Sequence, residues 1–231
     1  MKVAVLIPAH DEEPRIAATV AAAAAIPDVT TVTVVDDASA DRTAEAAESA
    51  GARVVQLPRN VGKGAALDAG LAHVPQEADV ILLLDGDLED SAAQGALLLA
   101  PIARREADMT VATFPPVAGK AGFGLVKGLA RRGIHTLGGP AAHSFTANAP
   151  LSGQRALTRP CLELVTPFAF GYGVEVALTV RALQAGMRVV EVPTTMSHDA
   201  TGRDVSGFAH RGTQFVHVAW ALVRLAFERR P

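Results

Sequence analysis

Two aspartates separated by one glycine follow a run of apolar residues in VILLLDGDLED, positions 80–90. In an extended strand, residues i and i+2 point the same way, so Asp85 and Asp87 can present two carboxylates to one point. Such a pair is stabilised by a cation. Oxygen ligands favour Mg²⁺ or Mn²⁺, and magnesium typically binds one or two carboxylates plus substrate phosphates. The alternative is a polar turn that caps the next helix, with Asp90 or Ser91 as the N-cap.

A second acidic stretch, IPAHDEE, follows the first apolar run of the chain. A dinucleotide-binding protein would need the pattern G-x-G-x-x-G at this point, and the stretch contains no glycine. Asp11, Glu12 and Glu13 would also repel a pyrophosphate. The first turn is therefore expected to contact a base or a ribose.

The second apolar run also ends in carboxylates, in VVDDASADRT. Asp36 and Asp37 are placed to accept hydrogen bonds from a base or a sugar. The alternative is a solvated turn in which Ser39 or Asp41 caps the following helix. Because three of the first four predicted strands end in acidic residues at one sheet edge, the pattern favours a binding site there.

A lysine supplies the opposite charge in RNVGKGAAL. Lys63 lies at a glycine-flanked helix start, where free N–H groups and the helix dipole attract anions. The stretch is not a Walker A loop, because the pattern G-x-x-x-x-G-K would need glycine where the chain has Leu57. The alternative is a solvated surface lysine.

Short apolar runs that read as strands alternate with segments of helical composition, and this rhythm predicts an open, doubly wound α/β sheet. Ligands bind such sheets beyond the carboxyl ends of the strands. The predicted strands are KVAVLIP, TTVTVVDD, ARVVQLP, DVILLLD, DMTVATF and MRVVEVP, and the predicted helices are 13–25, 41–50, 64–73, 91–105, 173–185 and 206–229. The segment 115–124, rich in proline and glycine, is predicted to be a mobile loop.

Bulk properties exclude several classes of protein. The chain has 231 residues, 49% of them hydrophobic, which suits one α/β domain. A net charge of −3 gives no reason to expect a nucleic-acid partner. The single cysteine, Cys161, excludes an intrachain disulfide and fits a cytoplasmic location. We expect no transmembrane segment and no signal peptide, because the apolar stretches are too short.

The predicted last helix carries a narrow polar stripe from His210 to Glu228, and its other faces are apolar. Its apolar side chains are Phe208, Phe215, Val218, Trp220, Leu222, Val223, Leu225 and Phe227. Such a helix must be covered by the domain itself, by a second subunit or by a membrane surface. The family resemblance described below implies a homodimer, and peripheral membrane contact is the alternative.

Taken in order, IPAHDE, VVDDASADRT, NVGKGAAL, LLLDGD, LSGQRAL and GYGVEVAL resemble the nucleotide-sugar glycosyltransferases of the GT-A fold. The second half is most similar to glucosyl-3-phosphoglycerate synthases, and polyprenyl-phosphate sugar transferases are the next most similar group. The resemblance implies one continuous GT-A domain, in which residues 1–114 bind the nucleotide sugar and residues 115–231 bind the acceptor.

The resemblance also implies roles for the residues at the matching donor-site positions. Pro8, Ala9, Asp11 and Glu12 would border the nucleotide, Asp37 would lie near ribose or uracil, and Lys63 near the base or phosphate. Asp85 and Asp87 would form the D-x-D pair, with Asp87 as the direct ligand of Mg²⁺ or Mn²⁺. His198 would complete the metal shell, and His210 is its rival.

Further roles follow from the resemblance on the acceptor side. Leu151, Ser152 and Gly153 would approach the sugar, and Arg203 and Arg211 would hold phosphates. Glu175 would bind sugar hydroxyls, or would act as the catalytic base if the reaction inverts the anomeric centre. Retention and inversion both stay open. A basic group could hold an anionic acceptor or form a solvated face; it comprises Lys120, Lys127, Arg131, Arg132, Arg155 and Arg159.

These expectations together describe a metal-dependent glycosyltransferase. It would move a hexose, glucose first among the candidates, from a nucleotide diphosphate donor such as UDP-glucose to a small phosphorylated or lipid-phosphate acceptor. Two alternatives are a sugar-1-phosphate nucleotidyltransferase and a non-catalytic module that binds nucleotide sugars. The first would require a glycine-rich, basic loop after the first strand, and the chain has PAHDEE there.

Overall fold

A computed structural model describes residues 1–115, 124–169, 171–196 and 205–228. Within these residues, seven strands form one sheet in the order β3-β2-β1-β4-β6-β5-β7. Strand β6 runs antiparallel to both β4 and β5, and the other neighbouring strands are parallel. The predicted open, mostly parallel sheet with flanking helices and a long final helix is confirmed.

The first half alternates strands and helices as its apolar rhythm predicts. Its elements are β1 (Val3–Ala9), α1 (Glu13–Ala24), β2 (Val29–Asp36), α2 (Thr43–Ser49), β3 (Arg53–Gln56), α3 (Lys63–Leu71), β4 (Val80–Leu83), α4 (Gly95–Ala103) and β5 (Met109–Thr113). Pro14 lies in the first turn of α1, where its missing N–H costs no hydrogen bond. A 3₁₀ turn over Glu89–Gln94 leads into α4, so the predicted helix over 91–105 is divided in two.

The second half contains elements that the sequence pattern did not predict. Its elements are α5 (Gly124–Leu137), β6 (Arg155–Thr158), α6 (Arg159–Val165), α7 (Val174–Gln184), β7 (Val189–Pro193) and α8 (Val205–Phe227). Strand β6 arises from LSGQRAL, which the sequence analysis treats as an acceptor-side loop. It enters the centre of the sheet between β4 and β5, next to the strand that precedes the two aspartates.

The sheet is buried on both faces, which explains why its strands are continuously apolar. Alternate residues of β1 point to opposite sides: Val5 packs with one core cluster beside α1 and α4, and Leu6 packs with another beside α3, α6 and α7. Because both faces are covered by helices, solvent reaches the parallel strands at their ends. A binding site is therefore expected at the carboxyl edge.

A third core cluster joins α5, α7 and α8, and it covers one face of the last helix. Val218, Leu222 and Leu225 are buried there, whereas Val216 and Val223 are exposed. The domain therefore covers one face of this helix and leaves other predicted apolar side chains exposed. Within the part of the chain that the structure describes, no helix combines the length and hydrophobicity needed for a membrane span.

Candidate active site

A cavity of about 410 Å³ opens at the carboxyl ends of β1, β2 and β4. These strands bring together residues that are far apart in the sequence. The cavity is lined by Pro8, Ala9, His10, Glu12, Asp37, Lys63, Asp85, Gly86 and Asp87. Most of the predicted donor-site residues of the first half therefore share one surface, and His10 is an addition that the sequence analysis did not single out.

Asp85 and Asp87 lie in the turn after β4, which ends at Leu83. The strand alternation invoked for this pair therefore does not apply, although both side chains line the same cavity. The alternative role as a helix cap is also not what the structure shows. The 3₁₀ turn starts after Leu88, and α4 starts after Gln94, so neither Asp90 nor Ser91 is an N-cap.

Lys63 joins two carboxylates at the edge of this cavity. Its Nζ lies 2.7 Å from Asp85 Oδ1 and 3.0 Å from Glu175 Oε1. Burial opposes the charged form of the lysine, but the two carboxylates outweigh burial and raise the pKa of Lys63 above its usual value. Lys63 is therefore a fixed positive charge in the site and not a solvated surface lysine.

Close packing of α3 explains how Lys63 reaches Glu175, which lies 112 positions further along the chain. A Cβ on Gly64 would lie 2.0 Å from the carbonyl oxygen of Ala169 and 2.9 Å from a Val174 methyl group. Only glycine permits this approach between α3 and the start of α7. The glycine after Lys63 is thus a packing requirement that brings together the two halves of the site.

Gln154 completes the surroundings of Asp85. Its Nε2 donates to Asp85 Oδ2 at 2.6 Å, so Lys63 and Gln154 bind opposite oxygens of one carboxylate. A Cβ on Gly153 would lie 2.4 Å from Lys63 Nζ and 2.9 Å from both Asp85 carboxylate oxygens. The predicted sugar-side loop therefore contacts the charged cluster directly. Gln154 was missed because the sequence pattern contains no sign of a contact across 69 residues.

Glu12 lies at the start of α1, where it pairs with Arg15 at 2.7 Å. Burial raises the pKa of Glu12, Arg15 lowers it, and the nearby Asp87 and Asp85 carboxylates raise it further. The effect of the two aspartates on Glu12 shows that negative charge is concentrated at this mouth of the cavity. A cation bound there would relieve that repulsion.

Asp37, in the turn after β2, lines the cavity and also accepts hydrogen bonds that hold the neighbouring loops. Asp37 accepts from the backbone N–H groups of Val61 and Gly62 at 2.7 and 2.8 Å, which fixes the loop before Lys63. His10 Nδ1 lies 2.9 Å from the Asp37 carbonyl oxygen, so this nitrogen carries the proton that it donates. Asp37 therefore orients both neighbouring loops and also lines the cavity.

The alternative of a solvated turn in which Ser39 or Asp41 caps α2 is not what the structure shows, because Asp36 and Asp37 are buried and the N-cap of α2 is Arg42. Asp36 Oδ1 accepts hydrogen bonds from the backbone N–H and the hydroxyl of Ser39. Asp41 accepts from Thr43 at the start of α2 and from the N–H of Glu13. Asp11, predicted to border the nucleotide, is exposed and accepts from the N–H of Ala40 at 2.7 Å. These carboxylates hold the β1–α1 and β2–α2 loops together.

Arg155 differs from its expected place in an exposed basic group. It is fully buried, and it donates from Nε to the Ser152 carbonyl and from Nη1 to Thr179 Oγ1 at 2.8 Å. Burial lowers the pKa of Arg155 to about 10, while Glu175 and Glu191 raise it. Arg155 therefore joins the 151–154 loop to α7 from beneath and cannot grip an acceptor in solvent.

Arg159 and Arg131 are also engaged in holding loops. Arg159 donates to the carbonyls of Ala78 and Pro75, and Arg131 Nε donates to the carbonyl of Ala147 at 3.0 Å. The basic group predicted as a unit is thus dispersed over separate parts of the fold. Lys120, which belongs to the same prediction, lies outside the described residues.

The structure places the other predicted residues as follows. Leu151 is half-buried and Ser152 is buried, both in the loop that leads to β6, and Glu175 is buried in the first turn of α7. His198 and Arg203 lie outside the described residues. Arg211 and its neighbour His210 belong to α8, in a part where side chains are not described. The predicted roles of these four residues stay predictions.

The residues at the cavity mouth suit a hard divalent cation that binds together with a phosphate ligand. Among the described residues, no three His, Cys, Asp or Glu side chains are arranged to hold a metal ion. Mg²⁺ does not require such a cage, since it usually keeps several waters and binds one or two carboxylates plus substrate phosphates. Asp87, at the mouth where Glu12 is affected by carboxylate repulsion, fits that donor set.

Comparison with known protein families decides the class of protein. Residues 4–136, more than half of the chain, match the family described as Glycosyl transferase family 2. The chain belongs to this family. The family predicted from the ordered motifs is therefore confirmed, and the matched region contains the Lys63 and Asp85–Asp87 positions of the cavity.

Two curated proteins have sequences similar to that of this glycosyl transferase family 2 chain. Glycosyltransferase AglJ of Haloferax volcanii is 31% identical over 178 residues, 76% of this chain and 56% of that protein. Glucosyl-3-phosphoglycerate synthase of Mycolicibacterium paratuberculosis is 32% identical over 200 residues, 77% of this chain and 59% of that protein. The chain thus spans less than two thirds of the length of either relative.

A solved structure shows the same fold over nearly the whole chain. It is the glucosyl-3-phosphoglycerate synthase of Mycobacterium tuberculosis in complex with Mn²⁺, UDP-glucose and phosphoglyceric acid. Its TM-score is 0.76 at 26% identity, and the match covers 97% of this chain and 79% of that one. The similarity includes the second half, which lies beyond the region matched by the family.

Proposed function

We propose that this chain is a metal-dependent hexosyltransferase that uses a UDP-sugar, with UDP-glucose as the first candidate, and a small phosphorylated acceptor. One observation carries the proposal: Lys63, Asp85 and Glu175 form a partly buried ion-pair cluster beside Asp87, at the sheet edge where α/β folds bind ligands. The similar M. tuberculosis enzyme, crystallised with Mn²⁺, UDP-glucose and phosphoglyceric acid, supports this choice of ligands.

In this proposal Asp87 holds Mn²⁺ or Mg²⁺, with His198 as the further protein ligand. The cation, when bound, neutralises the diphosphate leaving group as the bond between sugar and oxygen breaks. Asp85 is held by Lys63 and Gln154 and serves donor binding. Pro8, Ala9, Glu12 and Asp37 border the nucleoside, because they line the cavity beside the two aspartates.

The second half supplies the sugar and acceptor side. Gly153 lies against the Lys63–Asp85 pair, which supports a role for the loop of Leu151, Ser152 and Gly153 in contacting the sugar. Glu175 binds Lys63 through Oε1, and we assign its carboxylate to sugar hydroxyls, or to the acceptor proton if the reaction inverts. Arg203 and Arg211 are the proposed phosphate-binding residues of the acceptor half.

A direct assay tests this function. The purified chain is incubated with UDP-glucose, Mn²⁺ and 3-phosphoglycerate, and UDP release is followed together with the mass of the glycosylated product. We expect metal-dependent UDP release that EDTA abolishes, and a weaker response when GDP-mannose replaces UDP-glucose. Proton NMR of the anomeric centre in the product then distinguishes retention from inversion.

Other outcomes of the assay identify the alternatives. Pyrophosphate formed from UTP and glucose-1-phosphate would replace the proposal with a nucleotidyltransferase. Tight donor binding without UDP release, for any acceptor tried, would indicate a binding module. Transfer to a short polyprenyl phosphate, and not to 3-phosphoglycerate, would change the acceptor class and leave the donor chemistry in place.

We further propose that the chain forms a homodimer through the exposed apolar face of α8. Val216, Trp220, Val223 and Phe227 stay exposed on this helix although its opposite face is buried in the domain. Exposed apolar side chains grouped on one helix are typical of association surfaces. A membrane surface is the alternative partner for this face.

A further inference from the structure

We propose that Gln154 is a positioning residue that fixes the Asp85 carboxylate for donor binding. This inference rests on the proposed function and adds to it a residue outside the predicted site. Gln154 is 1% exposed and lies at the start of the strand that enters the sheet beside β4. Its role follows from three hydrogen bonds and from the space around it.

The orientation of the Gln154 side chain is set from both ends. Ser152 Oγ donates to Gln154 Oε1 at 3.2 Å, so the amino group of the carboxamide faces the other way, toward Asp85. The Gln154 backbone carbonyl accepts from Ala112 in the neighbouring strand at 3.0 Å. Both the main chain and the side chain of Gln154 are therefore fixed before any ligand arrives.

Gln154 and Lys63 together restrict Asp85. Asp85 Oδ2 accepts a hydrogen bond from Gln154 Nε2 at 2.6 Å, and Asp85 Oδ1 accepts one from Lys63 Nζ at 2.7 Å. Rotation of the carboxylate would break both bonds, and hydrogen bonds to a charged group are about twice as strong as neutral ones. Asp85 is therefore held in one orientation.

The surrounding space permits little adjustment. A Cβ on Gly153 would already contact Lys63 Nζ at 2.4 Å and Asp85 at 2.9 Å, so the cluster fills the volume above the loop. Loss of the amide donor would remove the hydrogen bond that holds Asp85 Oδ2 from the side of β6. The carboxylate would then turn toward the cavity, where it would compete with the donor diphosphate for the cation at Asp87.

This reasoning predicts that Gln154 affects donor binding by way of Asp85. Gln154→Met keeps the length of the side chain and removes the amide N–H group that donates to Asp85. Gln154→Glu keeps the shape of the side chain and places a carboxylate oxygen, a hydrogen-bond acceptor, against Asp85. The matched control is Gln184→Met, which removes a comparable bond from Gln184 Nε2 to the Leu137 carbonyl on an exposed part of α7.

The experiment measures UDP-glucose affinity by calorimetry and Mn²⁺ binding in the presence of UDP by electron paramagnetic resonance. We expect Gln154→Met to weaken UDP-glucose binding about tenfold, in line with a hydrogen bond to a charged group, and Gln154→Glu to weaken it at least as much. Gln184→Met should bind like the unaltered chain. In steady state, KM for the donor should rise more than kcat falls. The melting temperatures of Gln154→Met and Gln184→Met should be similar, whereas Gln154→Glu should melt at a lower temperature, because it places a second carboxyl group beside Asp85 at a buried position.

A double-mutant cycle separates positioning from general support of the fold. In an Asp85→Asn background, we expect Gln154→Met to change donor affinity less than twofold, because the group it acts on is already altered. An equal tenfold effect in both backgrounds would overturn the inference. So would a Gln154→Glu variant that binds like the unaltered chain. If the unaltered chain binds no Mn²⁺–UDP, the proposed function is wrong, and this inference with it.

Discussion

At the scale of single residues, the site depends on the positively charged side chain of Lys63, which lies between the carboxylates of Asp85 and Glu175. Lys63 has a raised pKa because Asp85 and Glu175 flank it, so the lysine keeps its positive charge throughout the physiological pH range. Fixed charges of this kind need no reorganisation when a substrate arrives. The cost of such a cluster is that any added atom disturbs it.

Gly153→Ala tests how tightly the cluster is packed. The new methyl group would lie 2.4 Å from Lys63 Nζ and would separate the ion pair. We expect a loss of about 1–3 kcal/mol in the free energy of unfolding, typical of overpacking, and donor binding weakened at least tenfold. Urea denaturation and calorimetry measure the two effects.

Gly128→Ala is the control for this substitution. A Cβ on Gly128, in helix α5, meets nothing within 4 Å. Removal of a helical glycine should stabilise the chain by about 0.5–1 kcal/mol and leave donor binding unchanged. If Gly153→Ala behaves like this control, the packing described for the cluster is wrong.

The sequence identified the charged residues of the site but not the contacts that fix them. Asp85, Asp87 and Lys63 were found because acids and a lysine at predicted strand and helix ends are conspicuous. Gln154 and Arg155 were not found, because each is a polar residue buried by tertiary contacts. Arginine is rarely buried completely, so a propensity argument places Arg155 on the surface.

At the scale of elements, β6 shows where the sequence pattern fails. The alternation of strands and helices predicts parallel neighbours, and β6 is a short strand that enters antiparallel between β4 and β5. Its sequence, Arg155–Thr158, has no apolar run that would mark it as central. The pairing of β6 with β4 and β5, and not its amino-acid composition, determines its position in the sheet.

Helices α5 and α6 were missed for different local reasons. Helix α5 contains Gly128 and Gly133 within a basic segment, and glycine lowers helix propensity. A Cβ on Gly133 would contact Leu222 at 2.2 Å, so this glycine is required where α5 meets α8. Helix α6 spans only seven residues, and Pro160 lies in its first turn, where a proline is easily taken for a helix-breaking residue.

The junction of β5 and β7 gives a prediction about pH. Arg188 binds Asp108 through both guanidinium and backbone N–H groups, with Nη2 to Oδ1 at 2.9 Å, just before the two strands pair. These hydrogen bonds lower the pKa of Asp108. A lowered folded-state pKa means that the stabilisation is present above about pH 4, the unfolded value, and is lost as pH falls through the folded value.

We therefore expect Asp108→Asn to lower the free energy of unfolding by about 1 kcal/mol at pH 7, since the pair is partly exposed. The difference from the unaltered chain should shrink as the pH falls below about 4. Urea denaturation at several pH values measures it. A difference that stays constant down to pH 2.5 would show that the ion pair does not contribute in the manner described.

At the scale of the whole molecule, the long last helix has one buried and one exposed apolar face. Val216 and Val223 lie two turns apart on the exposed face. We expect the unaltered chain to sediment as a dimer at micromolar concentration, and the double variant Val216→Lys/Val223→Lys to sediment as a monomer with a similar melting temperature. Analytical ultracentrifugation measures both states.

Leu164→Lys serves as the control, because Leu164 is an exposed leucine on α6, far along the chain from α8. It should leave the dimer intact. A chain that is monomeric at all concentrations would contradict the proposed dimer, and binding of that monomer to lipid vesicles would favour the membrane alternative. A dimer that the double variant does not disturb would place the interface elsewhere.

The residues at the sheet edge could be predicted because the carboxyl ends of parallel strands must converge, whatever the details of packing. The acceptor half was less accessible, because the contacts of Gln154 and Glu175 join segments that are far apart in the sequence. His198 and Arg203 lie outside the described residues and the side chain of Arg211 is not described, so the roles of these three residues stay predictions.

The central claim is that Asp87 holds the cation that binds the donor diphosphate. Calorimetry of UDP-glucose binding with and without Mn²⁺ tests it most directly, using Asp87→Ala and, as a matched control, Asp90→Ala on the exposed 3₁₀ turn nearby. We expect Mn²⁺ to increase donor affinity at least tenfold in the unaltered chain and the control, and to have no effect in Asp87→Ala. An Asp87→Ala variant whose donor affinity still rises tenfold with Mn²⁺ would contradict the account.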